Sequence, residues 1–407
     1  MAMSKVRRSL EISKGKSPFY PGQPVPVELF VGRSAQIERI MTRGVEQVAA
    51  GKPVAIYVQG EYGIGKSSIA GYVQWLAERQ SGLHSIYAPL GSAETMDAVG
   101  AAVLEATVRS GAFHPKRSEK LRDWLAKYIG EQELFGLTLH GEALRRDAPT
   151  IVSGMLPFLT QAFDRLKETG VRGIILTMDE INGVTANPKF AHFIKGLVDS
   201  NAMSREPLPL LLLLCGVEER RREMIRHHQP IDRIFDVVEV GAMNQREMEE
   251  FFQRAFDSVQ MSVNEDAMQT MILWSAGFPK IMHLVGDAAY WIDKDGIVDR
   301  DDAIQAVLAA AEDVGKKYVD QQVYKALRST DYHSILRKIA KTGFGMNFQR
   351  SEVAKGLTEP ERRKLDNFLR KMRKLNVIRL GDIQGEYIFN VRMVRFYIWL
   401  QSLEKAN

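Results

Sequence analysis

The chain has 407 residues, 45% of them hydrophobic and 26% charged, the balance of a globular protein with two or three cores and not of a disordered or fibrous chain. A single cysteine, Cys215, excludes a disulfide framework and a cysteine-based zinc site and fits a reducing, cytoplasmic setting. The net charge of +5 is unevenly spread: residues 321–407 carry 18 Lys and Arg against 8 Asp and Glu, leaving 37 basic and 42 acidic residues in the first 320, so the tail is the part expected to meet an anionic partner.

At the N-terminus, basic residues stand without an apolar run behind them, which argues against a signal peptide, and residues 1–20 are expected to be a flexible segment. Residues 51–80, GKPVAIYVQGEYGIGKSSIAGYVQWLAERQ, read as strand, loop and helix. Val54 to Val58 are β-favouring, and Ile69, Val73, Trp75 and Leu76 recur at helical spacing over Ser67 to Arg79. Between them Gly60, Gly65, Lys66 and Ser67 match G-x-x-x-x-G-K-[ST]. Glycines in such a loop let backbone N–H groups turn inward around phosphate oxygens, and the helix that follows adds its partial positive charge. Gly60, Gly63, Ile64, Gly65 and Ser68 are therefore expected to line the phosphates, Lys66 to reach the β- and γ-phosphates, and Ser67 to ligate Mg²⁺.

Residues 85–111 predict a further strand and helix, and PKRSEKLRDWLAKYIGEQ (115–132) a basic amphipathic helix with Leu121, Trp124, Leu125 and Tyr128 along one side. ELFGLTLHGEALRRD (133–147) suggests an inserted strand or hairpin, and both partner docking and plain core packing stand open for this insertion. After a helix-like stretch over 149–169, Gly173 to Met178 predicts a strand that ends in Asp179 and Glu180. Behind a phosphate loop, an acid pair at a strand end suits Asp179 to the Mg²⁺ shell and Glu180 to polarising the attacking water. PLPLLLLLCGV (207–217) is too short to span a bilayer and reads as a buried parallel strand.

These elements, in this order, resemble AAA+ ATPases of the replication-initiator (origin-recognition-like) and STAND groups over roughly residues 20–315. PFYPGQPVPVELFVGR (18–33) is similar to their adenine-pocket segment, which implies that Phe30, Val31, Gly32 and Arg33 abut the purine. IDRIFDVVEVGAMNQREMEEFF (231–252) resembles the segment after the sensor strand. There Arg233, with Arg226 as second choice, is implied to act across a subunit interface. WSAGFPKIMHLVGDAAYWI (274–292) resembles the lid motif through Gly277, Phe278 and Pro279. Two departures stand out. The sensor strand offers only Cys215 and Val217, weak hydrogen-bonding groups that imply slow hydrolysis, and the lid helix carries Lys280 and His283 where many relatives have arginine. Lys280 is either a substitute cation for the γ-phosphate or a solvated lysine.

In the basic tail, residues 324–343 predict a helix, SEVAKG (351–356) a short one capped by Ser351, and residues 358–378 a third with Thr358 as cap and Pro360 at its first position. A hairpin over 377–390 and an amphipathic helix over 391–403 complete a winged-helix plan. Arg362, Arg363, Lys364, Arg370, Lys371, Arg373 and Lys374 crowd the third helix, with Arg379 at the wing. They suit double-stranded DNA, or a solubilising face on a domain that contacts only protein.

The resulting expectation is an α/β P-loop NTPase domain of AAA+ type over 21–240, an α-helical lid over 241–322 and a winged helix over 323–407. The implied function is an ATP-binding, slowly hydrolysing ATPase that uses ATP/ADP state and Mg²⁺ to control homo-oligomeric assembly on DNA. The alternative is a STAND-type signalling or defence switch whose tail contacts an effector protein. Neither reading involves a membrane.

Overall fold

The computed structural model describes residues 14–23, 26, 30–110, 115–129, 154–341, 347–375, 377–381, 383–390 and 392–404. The chain divides into two compact units, Pro24–Gly241 and a second built from Ala242–Asn407 with the described residues up to Gln23.

In the first unit five strands, β1 (Val54–Gly60), β2 (Leu83–Pro89), β3 (Gly173–Asp179), β4 (Leu210–Gly216) and β5 (Asp236–Val240), form one sheet in the order β2-β3-β4-β1-β5. Every neighbouring pair is parallel. β4 is buried along its whole length, as its run of leucines requires of a central strand covered on both faces. On one face Tyr57, Ile86, Leu176 and Leu212 join the core beneath α4 (Met96–Arg109), α6 (Met155–Lys167) and α7 (Pro188–Ala202). The other face takes α3 (Lys66–Gln80), whose Gln74 Nε2 donates to Thr177 Oγ1 at 2.9 Å. It also takes α1 (Ser34–Ile40), which continues through a wide turn into α2 (Glu46–Ala49). Tyr87 is in register with Thr177, and side chains two apart on a strand share a face, so Tyr87, Thr177 and Asp179 all point to the α3 side. That alternation brings the functional residues together. α5 (Pro115–Ile129) buries Leu121, Trp124 and Leu125, with the Trp124 ring 5.3 Å from Phe158, so this helix is part of the core. The hairpin expected over 133–147, and residues 149–153 of the helix expected before β3, lie outside the described residues.

The second unit holds α9 (Gln245–Asp257), α10 (Glu265–Ser275), α11 (Pro279–Ile292) and α12 (Arg300–Val314), preceded in the chain by α8 (Glu218–His227) of the first unit. Short parallel strands β6 (Ser262–Val263) and β7 (Ile297–Val298) pair between them. Residues 14–20, part of the segment expected to be flexible, pack here. Lys14 bonds to the Tyr290 and Asp293 carbonyls, and Phe19 is buried among Phe251, Phe252 and Phe256. Gly286 makes room for that ring, since a Cβ there would strike Phe19.

Farther on come α13 (Thr330–Lys341), β8 (Asn347–Gln349), α14 (Arg350–Lys355), α15 (Glu359–Lys374), β9 (Ile378–Leu380), β10 (Glu386–Phe389) and α16 (Arg392–Glu404). β8, β10 and β9 form an antiparallel three-stranded sheet, and β8 is an element the sequence reading lacks. Three details differ from expectation. The helix expected from 324 begins at Thr330, because Lys325–Leu327 form a turn. The cap position of α14 is Gln349, not Ser351, because β8 runs directly into the helix. Pro360 is the second residue of α15, behind Glu359, where its missing N–H is still no loss. Among the described residues no helix is long and apolar enough to cross a membrane.

Candidate nucleotide site

The C-terminal ends of β1, β3 and β4 meet at one edge of the sheet, and the candidate residues gather there. Beyond Gly60 the chain turns through Gly63 at φ 78° and Gly65 at φ 99°, conformations that a side chain would strain. Gly60 is also pressed against Val240, whose carbonyl oxygen a Cβ would meet at 2.6 Å. Gly65 is the N-cap of α3 and no side chain caps the helix, so its first N–H groups have no side-chain acceptor and suit an anion. Lys66 folds back over the loop, its ammonium donating to the Gly60 carbonyl at 2.9 Å and the Glu61 carbonyl at 2.8 Å. Burial lowers its pKa, against the opposing pull of Cys215, Asp179, Glu61 and Glu180. A cation held by neutral carbonyls in a partly dry loop is poised for phosphate oxygens. Ser67 and Ser68 follow in the first turn of α3.

Asp179 is 3% exposed. Its Oδ1 accepts from the Glu180 N–H at 2.8 Å, and its Oδ2 accepts from the Tyr87 hydroxyl. Ser67 lies near the same phenol, and Cys215 lies near Asp179. Burial first, then the Asp179 charge, pushes the Tyr87 phenol and the Cys215 thiol upward, so both stay protonated as donors. Ser67 and Asp179 supply one hydroxyl and one carboxylate, the hard oxygen set that Mg²⁺ takes when phosphates and water complete its shell. Glu180 is exposed and stands at φ 54°. Among the described residues only four non-glycine residues have positive φ, and two of them, Arg33 and Glu180, belong to this site. Such strain concentrates where function over-determines the backbone.

The Phe30–Arg33 segment packs against this loop. Arg33, 4% exposed and at φ 63°, donates to the Ile64 carbonyl at 3.1 Å and to the Gly241 carbonyl at 2.6 Å. Phe30 stacks on Tyr72 of α3 with ring centres 4.6 Å apart, Gly32 has φ 74°, and Val31 is buried. A cleft of about 240 Å³ opens beside Gly60, rimmed by Glu61, Glu218, Glu219 and Glu239.

Other candidates lie elsewhere. Arg233 is exposed in a 3₁₀ turn and lines a cleft of about 650 Å³ with Arg43, Lys52, Val54 and Leu210. Val54 and Leu210 begin their strands, so Arg233 sits at the sheet edge opposite the phosphate loop, roughly 20 Å along the strands. Arg226 is exposed near the end of α8. Pro279 and Lys280 open α11 in the second unit, behind Gly277 at φ 77°.

On α15, Leu365, Phe368, Leu369 and Met372 face inward. Arg363, Arg370 and Lys374 recur at seven- and four-residue spacing on the outward face, with Arg373 at its edge. Among the described residues these four make no hydrogen bond or ion pair. Arg362 pairs with Glu359 at 2.6 Å, Lys364 with Asp331 at 2.5 Å, Lys371 bonds to the Ala326 carbonyl, and Arg379 donates to Asn390 at 3.1 Å. Half of the basic set is thus engaged within the chain.

No protein-family model and no curated protein matches the chain. Solved structures do. The Walker-type ATPase PABY2304 of Pyrococcus abyssi is 19% identical, with 91% of this chain and 96% of that one covered at a TM-score of 0.59. The Aeropyrum pernix ORC2 protein, solved as ADPNP–ADP complexes, is 12% identical, with 92% and 95% covered at 0.56. The fold is that of an α/β P-loop NTPase of AAA+ type. At these identities the likeness is one of fold, and the chemistry rests on the residues above.

One further residue of the site, Tyr87, is absent from the sequence-based candidates. Tyr87 gave no signal, because what matters is its register beside β3.

Proposed function

We propose that the chain binds ATP with Mg²⁺ at the phosphate loop, hydrolyses it slowly, and uses nucleotide state to control assembly on double-stranded DNA. The observation that carries this reading is the convergence, at one sheet edge, of an uncapped helix N-terminus, Lys66, and the Ser67–Tyr87–Asp179 cluster.

On binding, Lys66 exchanges the Gly60 and Glu61 carbonyls for phosphate oxygens, while the N–H groups of Gly63 to Ser68 surround the β-phosphate. Ser67 and Asp179 would hold Mg²⁺, which supplies charge neutralisation on the β- and γ-oxygens. Glu180 orients the attacking water and accepts its proton. The Phe30 face not taken by Tyr72 suits a purine, and Arg33 anchors that segment. Cys215 at the end of β4 supports slow turnover, because a thiol is a weak donor to phosphate.

A strand's length from its own phosphate loop, Arg233 can serve only a neighbouring subunit's nucleotide. The glutamate rim beside Gly60 offers an incoming arginine an opposite charge. In the tail, we read the three-stranded sheet with α13, α14 and α15 as a winged helix, and the Arg363–Arg370–Lys374 stripe as its phosphate-contacting face. The Aeropyrum pernix and Pyrococcus abyssi structures support the nucleotide-binding part of this reading, at the level of fold.

The test is ATP turnover at low salt with and without duplex DNA, alongside Glu180→Gln and a triple charge reversal of Arg363, Arg370 and Lys374. The expected result is DNA stimulation that vanishes at high salt and in the reversal. Glu180→Gln should bind ATP and lose about a hundredfold or more in turnover. Turnover indifferent to DNA would favour a protein-facing switch, and undiminished turnover in Glu180→Gln would remove Glu180 from its role.

A further inference from the structure

Tyr87 stands between the two residues that would hold the metal. Its hydroxyl donates to Asp179 Oδ2, and Ser67 lies beside the same phenol. Three strands of chemistry meet there: β2 brings the phenol, β3 the carboxylate, and the helix after β1 the serine. A phenol is suited to this place because its hydroxyl is a donor to the carboxylate. Donating to Oδ2, it fixes the carboxylate plane, with Oδ1 already held by the Glu180 N–H at 2.8 Å.

We propose that Tyr87 is a positioning residue that holds Asp179 in the orientation a divalent cation needs beside Ser67 and ATP. This rests on the nucleotide-site reading above. It acts through the carboxylate ligand, as outer hydrogen-bond partners do at metal sites, where their loss costs about ten- to a hundredfold in metal affinity. A purely structural tyrosine would affect folding and nucleotide binding together, independent of metal. A positioning tyrosine separates the two.

The experiment is binding of N-methylanthraniloyl-ATP to the full chain, first in EDTA and then at rising Mg²⁺, for wild type and Tyr87→Phe. In EDTA, Tyr87→Phe should bind the analogue as wild type does, which also reports that it is folded. Its Mg²⁺ midpoint for tight binding should rise about tenfold or more. Equal midpoints in wild type and Tyr87→Phe would overturn the proposal. A wild type that binds the analogue under neither condition would fail the nucleotide-site reading itself. A wild type with normal Mg²⁺ dependence matched by Tyr87→Phe would sink this inference alone.

Discussion

Arg33 illustrates what one buried cation does at this site. Its sequence neighbours suggest purine contact, yet its guanidinium is spent on two carbonyls, Ile64 in the phosphate loop and Gly241 beyond β5. Removing it would leave both acceptors in a buried setting without that donor, a cost of about 1–3 kcal/mol. Arg33→Ala is therefore expected to lower the thermal midpoint of unfolding and to weaken ATP binding together, both readable in one ligand-dependent melting series. Loss of ATP affinity at an unchanged midpoint would instead assign Arg33 to direct contact. Lys66, Ser67, Asp179 and Glu180 were legible in the sequence because each belongs to a contiguous pattern at a strand end. Tyr87 was not, because it lies 92 residues from Asp179 and only the pairing of β2 with β3 brings them together. Cys215 was read as a poor hydrogen-bonding group for phosphate. It stands near the Asp179 carboxylate, and burial keeps its thiol protonated.

At the scale of elements, α15 depends on its first turn. Thr358 and Glu361 form a reciprocal capping box, and Glu361 is also paired with Lys338 of α13 at 2.6 Å. Burial alone pushes the Glu361 carboxyl up, but Lys338, Ser334 and Thr358 outweigh it and hold the group down at about 2 against an ordinary 4.5. A carboxyl depressed on folding stabilises the fold fully above pH 4.5 and loses that contribution as pH falls toward 2. Glu361→Gln should cost about 1 kcal/mol at pH 7, and its deficit against wild type should shrink as pH drops through that window. Thermal unfolding at pH 7 and pH 3 checks this, and a deficit that stays constant would mean that the charge of Glu361 contributes nothing. The cap and the inward face of α15 were readable from spacing. β8 was not, since three residues, Asn347–Gln349, are too few to display alternation, and it is a strand only because β10 offers it an edge.

For the whole molecule, the charge division seen in the composition acquires a shape. The acidic rim lies beside the phosphate loop in one unit, and the basic stripe on α15 lies in the other. A nucleotide can govern such a chain only if it binds the first unit through the phosphate loop, and every further claim, from the Arg233 contact to DNA, depends on that event. Equilibrium titration of ATP with Mg²⁺ into wild type and Lys66→Ala therefore tests the account most directly. Saturable binding by wild type and roughly ten- to a hundredfold weaker binding by Lys66→Ala is the predicted result. Equal affinity in the two proteins, or no binding by wild type, would contradict it.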